Sequence, residues 1–299
     1  MVSCVPRLEY LNANASYVMG VIFIVIGILG VVGNTIALRV FCRPKIRCKT
    51  HTMFLLSLIV SDTLSSYILC PLYFIQLFYR RLQMDCSFDI TRAYLHMMTT
   101  TTSTISLGII AFYRYRKLTK VNTNDLGRNN IRVLILCPWI FGFSLPALRF
   151  AHVFLYVAAV FVVLLGPLFI FTMFYYLISK AMNVQLKEMQ EHNQGSNHHN
   201  QQQARNNLRQ VQMNRRLFRI ITCYILCILP VSIWMVVQQW NVRSQYFSQY
   251  YMQLSYAFSM WLGCMNSSLN PLIYALKYPQ LKKELYRFMA RDRSIRPMR

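Results

Sequence analysis

Runs of roughly 20 predominantly apolar residues recur along this chain, each long enough to cross the hydrocarbon core of a bilayer as a helix. They lie at about Tyr17 to Leu38, Met53 to Phe78, Tyr94 to Phe112, Val133 to Phe150, Val153 to Ile178, Leu217 to Val237 and Tyr250 to Leu276. Within lipid every backbone N–H and C=O must find a partner inside the protein, so such segments fold as helices. The expected class is therefore all-α: a seven-transmembrane helix bundle over 17–276, after a short N-terminal segment 1–16 and before a tail at 277–299.

The fourth and fifth runs are almost continuous from Val133 to Ile178. Only Arg149 and His152 punctuate them with charge, so a tight turn is expected there. Composition agrees with a membrane reading, since 55% of the residues are hydrophobic and 14% are charged, against about 25% charged in soluble domains. The net charge of +23 suggests nucleic acid, but its placement argues against that partner. Six basic residues (Arg7, Arg80, Arg81, Arg92, Arg149 and Arg243) fall on one side, and all other Lys and Arg fall on the opposite side. The positive-inside rule puts the N-terminus outside the cell and the C-terminus in the cytoplasm, with anionic lipid as a secondary partner of the basic inner face. The first apolar run starts late and is too long for the core of a cleavable signal peptide.

Outside the spans, Asn14-Ala15-Ser16 is a glycosylation acceptor in the outer N-terminus. Cys4 and Cys86 are the two cysteines expected outside, where a disulfide persists, and they are expected to pair. The inner segment 182–212 is rich in Gln, Asn and His, including His192, His198 and His199. It reads as a solvated flexible linker rather than a metal site. From Tyr278 to Met289, Leu281, Leu285 and Phe288 share one face away from Lys282, Lys283 and Arg287, as in a short amphipathic helix on the inner membrane surface.

Polar residues at membrane depth carry the functional content. Asn266-Ser267-Ser268-Leu269-Asn270-Pro271-Leu272-Ile273-Tyr274 places two amides and a proline in the last span. Asp62 is the one acid in the apolar part of any span, and an intramembrane carboxylate marks a functional site by default. Asn34, Ser103, Asn266, Ser267 and Asn270 are its candidate partners. Such a cluster suits either a small hydrated cation or a hydrogen-bond network around a protonated Asp62.

Landmarks in all seven spans resemble those of the rhodopsin-like, or class A, G-protein-coupled receptors. They are Gly33-Asn34, Leu58 with Asp62, Ser103 with Leu107 and Arg114-Tyr115, Trp139, Pro167 with Tyr175, Cys227 with Pro230, and the Asn270-Pro271-Leu272-Ile273-Tyr274 ending. The resemblance implies that the Asp62 cluster binds sodium at rest, and that Arg114 engages a heterotrimeric G protein once the sixth span swings out. It also implies that Tyr175 and Tyr274 turn inward to support Arg114, with Pro167, Pro230 and Pro271 as kinks.

Departures from the family pattern shape the rest of the reading. Tyr113 stands where an acid usually clasps the arginine, so Arg114 is unclasped and elevated basal activity is expected. Ile228 replaces the aromatic toggle two residues before Pro230, and Cys86 sits three residues early for the family's outer cysteine. The second outer loop is too short for a hairpin lid.

His96 stands where amine receptors carry an acid, and Cys264 stands where visual pigments carry the retinal-linking lysine, so neither an amine nor retinal is expected as ligand. Tyr73, Gln76, His96, Thr100, Ser232, Met235, Tyr256 and Met260 are the candidate pocket lining. His96 serves there either as an anchor for an anionic or hydrogen-bonding group or as a structural residue. Ser196 and Ser294 are nearly the only inner hydroxyls beyond the spans, so weak phosphorylation-driven arrestin recruitment is expected. The competing classes are a receptor-like protein that does not signal, acting as heteromer partner or decoy, and a seven-helix transporter, for which no internal repeat is visible. No enzyme motif is present.

Overall fold

In the computed structural model the described residues are 11–78, 86–119, 126–151, 222–234, 248–275 and 278–293, with isolated positions between 166 and 184 and at 237. Their order is a first-span helix Ala13–Phe41, a single turn Pro44–Arg47, a second-span helix Thr50–Phe78, a third Cys86–Thr119 and a fourth Arg128–Ala151. Part of the sixth span, Thr222–Trp234, follows, then the seventh, Gln249–Ala275, and a tail helix Pro279–Arg293. No strand occurs among the described residues.

Several boundaries differ from the apolar runs because helices continue into the interfacial zone. The first helix begins at Ala13 rather than Tyr17, capped by the Asn12 side chain, which accepts from the Ala15 N–H at 2.7 Å. Asn14 is therefore an exposed residue of the first helical turn, and Ser16 of the same tripeptide is buried. The fourth helix runs through Arg149 to Ala151, so the break expected at Arg149 to His152 comes no earlier than His152.

Three described helices are long and apolar enough by themselves to cross a membrane. The third and seventh are diluted by polar runs, Thr99 to Ser106 and Asn266 to Asn270, but nearly all of those side chains point inward. The first span shows the reverse face, with Val18, Val21, Val25, Ile28 and Leu29 each at least half exposed, as lipid-facing residues are.

The first span packs on the second and seventh, and the third lies between the second and fourth. Small residues set the closest approach. A Cβ at Gly30 would come within 2.9 Å of the Ser66 Cβ, and one at Gly33 within 2.9 Å of the Pro271 Cβ. The second span widens into a π turn at Ser65–Leu69. Pro71 lies just beyond it, and the looser turn relieves the clash its ring would make with the carbonyl four residues back.

Two apolar clusters fill the interior. The inner one includes Phe41, Phe54, Leu58, Tyr113, Tyr224, Ile228, Tyr274 and Leu281, and the outer one Leu11, Phe23, Tyr73, Trp234, Tyr256 and Met260. The tail helix is anchored by Leu281, fully buried in the inner cluster, and by an ion pair from Arg43 to Glu284 at 2.8 Å. Leu285 is partly buried, whereas Phe288 is 54% exposed, so the apolar face is shared between protein and membrane surface.

Candidate functional site

At the centre of the bundle, Asp62 is fully buried and collects donors from the third and seventh spans. Asn270 Nδ2 donates to Asp62 Oδ2 at 2.7 Å, Ser103 Oγ lies 3.2 Å from Oδ1, and the Ser267 hydroxyl also bonds the carboxylate. The kink chemistry of the seventh span explains the meeting: Pro271 frees backbone at the level where Asn270 must turn toward the second span. Asn34 closes the far side, its Nδ2 donating to the Ser267 carbonyl at 3.2 Å and lying 3.5 Å from Ser66 Oγ. Its Oδ1 is buried with no hydrogen-bond partner among the described residues. Asn266 is buried nearby on the seventh span, but no bond to Asp62 is found for it.

This donor set fits a small hard cation, which takes oxygen ligands. The Asp62 carboxylate, the Ser103 and Ser267 hydroxyls and the orphaned Asn34 Oδ1 are the residues that would hold sodium. Bound there, sodium would supply the positive charge that keeps Asp62 ionised.

Toward the cytoplasm, Tyr274 is buried between Asp62 and Arg114, and its hydroxyl has no hydrogen-bond partner among the described residues. Arg114 lies close to Tyr274 and Tyr278 and forms no ion pair among the described residues. The neighbouring Tyr113 lies edge-on to Phe54 of the second span with ring centroids 5.5 Å apart. An apolar contact between the second and third spans thus replaces the missing acid. Tyr115 packs near Phe174, 5.8 Å between centroids. The sixth span joins this half through Tyr224, whose hydroxyl bonds Thr104, and Ile228 is buried in the inner apolar cluster.

The outer half contains a feature that residue counting missed. Arg92, tallied as an outer charge, has no exposed surface. Its guanidinium donates to Tyr256 Oη at 2.5 Å, pairs with Asp89 at 3.3 Å, and sits over the Tyr73 ring at 4.7 Å. Gln76 Nε2 donates to the same Asp89 oxygen at 3.1 Å, and the Tyr73 hydroxyl is 3.1 Å from His96 Nδ1. Tyr73, Gln76, His96 and Tyr256 are therefore brought together, Met260 is buried in the same apolar cluster as Tyr73 and Tyr256, and Ser232 is buried on the sixth span with its hydroxyl donating to the Ile228 carbonyl at 3.0 Å. No polar contact of Thr100 is found among the described residues. Trp234, another residue that sequence reasoning passed over, packs tilted against Tyr256, ring centroids 4.8 Å apart, one turn beyond Pro230. It supplies an aromatic group on the outer side of the position that Ile228 vacates.

Leu11 adds a partial cover, since it is 1% exposed and its N–H donates to Gln253 Oε1 at 3.0 Å. Cys86 is disulfide-bonded, and the seven other described cysteines are free. Cys4, Tyr175, Met235, Pro167 and nearly all of the 182–212 segment lie outside the described residues.

The geometry places a buried polar cluster around Asp62 between an inner arginine and an outer polar cluster. In agreement, the chain matches the family described as 7 transmembrane receptor (rhodopsin family) over residues 33–153 and 145–274. It belongs to that family, and with it to the multi-pass membrane proteins. Among curated relatives it is similar to melanopsin of Phodopus sungorus, 29% identical over 140 residues, which is 44% of this chain and 29% of that protein. A melanopsin-like protein of Danio rerio is 35% identical over 68 residues, 23% of this chain and 14% of that protein. The aligned region spans under a third of these relatives' own length. The crystal structure of squid rhodopsin superposes with a TM-score of 0.79 at 15% identity, covering 97% of this chain and 90% of that one. At that identity the likeness is one of fold, a seven-helix bundle.

Proposed function

We propose that this chain is a receptor of the plasma membrane that passes a ligand signal from outside to heterotrimeric G proteins by helix rearrangement, and that it rests close to its signalling arrangement. One observation carries the reading: Asn270 bonds Asp62 directly at 2.7 Å, while Arg114 faces Tyr274 with no acid beside it among the described residues. Agonist and G protein each shift such an equilibrium by their differential affinity for its two states. A bundle without an acid on the arginine lacks one of the contacts that hold the resting state.

The N-terminus lies outside in this reading, with Asn14 as glycosylation acceptor and Cys4 as the partner of Cys86. Cation binding at Asp62 opposes signalling because it separates Asp62 from Asn270. The test is made in cells that display the chain at their surface. G-protein recruitment and second-messenger output without ligand should exceed mock-transfected cells, and Arg114→Ala should remove the excess. Output equal to mock at matched surface level overturns the proposal and points to the non-signalling partner or decoy.

A further inference from the structure

Arg92, Gln76 and His96 form one cluster through shared contacts, Asp89 joining the first two and Tyr73 linking His96 to Arg92. Arg92 and His96 are one helical turn apart on the same face of the third span, and Tyr73 and Gln76 share a face of the second. Each of the three polar residues keeps one buried atom without a partner among the described residues: Arg92 Nε, His96 Nε2 and Gln76 Oε1. A buried polar atom left unbonded costs on the order of 1–3 kcal/mol. Native proteins seldom leave such atoms without a partner of some kind. Three at one place therefore call for a partner from outside the chain.

The unused groups define its chemistry. Arg92 Nε–H is a donor only. In the neutral tautomer whose Nδ1 accepts from the Tyr73 hydroxyl, His96 Nε2 carries a hydrogen to donate. Two donors, one of them on a guanidinium, match the oxygens of a carboxylate; the third unused atom, Gln76 Oε1, is an acceptor and takes no part in the anion contact. The aromatic faces of Tyr256 and Trp234 beside them suit an apolar body.

Resting on the receptor reading above, we propose that the outer cluster is a subsite for a small organic carboxylate with an aromatic or aliphatic body, anchored on Arg92 and His96. Asp89 has a defined part in it: its carboxylate accepts from Arg92 Nη2 at 3.3 Å, leaves Nε unused, and its negative charge opposes an incoming anion.

The probes are benzoate, 3-phenylpropionate and hexanoate, each compared with its primary amide and its amine, added to the purified full chain in nanodiscs. Binding is read from the shift of the unfolding midpoint by tryptophan emission. The carboxylates should raise the midpoint in a dose-dependent manner and the amides and amines should not. Arg92→Gln should weaken the carboxylate response about tenfold or more, the loss of a charge-assisted hydrogen bond. Asp89→Asn should strengthen it several-fold by removing the opposing charge, an effect opposite in sign to structural damage. Because Arg92→Gln leaves Asp89 buried without its cation, the double variant Arg92→Gln/Asp89→Asn, which leaves no unpaired charge, should also fail to respond. Equal shifts by amides and amines, a carboxylate preference surviving in the double variant, or a weaker response in Asp89→Asn overturns the proposal. The readout involves no G protein, so its failure leaves the signalling proposal standing, and the reverse holds.

Discussion

Restoring an acid next to the arginine is the perturbation that the inner half of the bundle answers most clearly. Tyr113 is buried, and its ring rests edge-on against Phe54, while Arg114 is partly buried and has no ion-pair partner among the described residues. Tyr113→Asp places a carboxylate one residue from that guanidinium. A partly buried ion pair lies between the exposed case, about 0.2–1 kcal/mol, and the fully buried one, about 3–5 kcal/mol when one partner is removed. A value of about 1–2 kcal/mol in favour of the resting state shifts the two-state ratio by roughly five- to thirtyfold. Removal of the ring also lowers overall stability, so output must be normalised to surface-exposed protein. Ligand-free G-protein activation per surface receptor should fall by that factor in Tyr113→Asp and stay unchanged in Tyr113→Phe, which keeps the ring and adds no acid. If Tyr113→Asp reaches the surface and signals as strongly as the intact chain, the absence of a clasp does not set the basal state.

Other perturbations separate the parts. Asp62→Asn should abolish any dependence of basal output on sodium, measured by exchanging NaCl for choline chloride at constant ionic strength, because an amide supplies no charge to a cation. Gly263→Ala should destabilise the bundle by about 1–2 kcal/mol, read as a lower unfolding midpoint, since its Cβ would come within 3.1 Å of the His96 ring. The Arg43 hydrogen bond holds the Glu284 carboxyl below its ordinary value of 4.5. A depressed carboxyl stabilises the docked tail helix above that value and loses the effect as pH falls through the lowered one. Amide exchange of the tail helix should therefore be pH-independent, after correction for intrinsic rates, from neutrality to about 5, quicken at lower pH, and lose that acid response in Arg43→Ala.

Membrane physics made the central site readable from residue identities alone. A carboxylate and two asparagines in apolar spans have few partners but one another, which is why Asp62 and Asn270, far apart in sequence, were paired correctly. Ser103 followed for the same reason, whereas Asn34 bonds the Ser267 carbonyl and Ser66 rather than the carboxylate. The replacement of the clasp was visible as an absence, the missing acid at Tyr113, but its contact with Phe54 was not, because an edge-on ring pair between helices leaves no trace in spacing. The part of Arg92 in the outer cluster went unseen for a related reason. A basic residue near a span end counts toward topology, and nothing in its neighbours showed that Asp89, Tyr73 and Tyr256 would enclose it. The i, i+3 spacing of Asp89 and Arg92 was available as a signal, although such pairs are usually exposed and weak. Pro71 likewise offered a cue to the π turn that follows Asp62, since a proline inside a span forces some local widening or kink. The helix start at Ala13 escaped hydropathy because Asn12 and Asn14 are polar, yet Asn12 is a favourable cap.

Reconstitution shows whether the bundle rests near its signalling arrangement through Asp62, Asn270, Tyr274 and Arg114. The purified chain in nanodiscs is mixed with heterotrimeric G protein, and nucleotide exchange is followed with no ligand present. Exchange should exceed that of empty nanodiscs and fall to background in Arg114→Ala. Exchange at background for the intact, folded chain, across the heterotrimer classes, would contradict that arrangement.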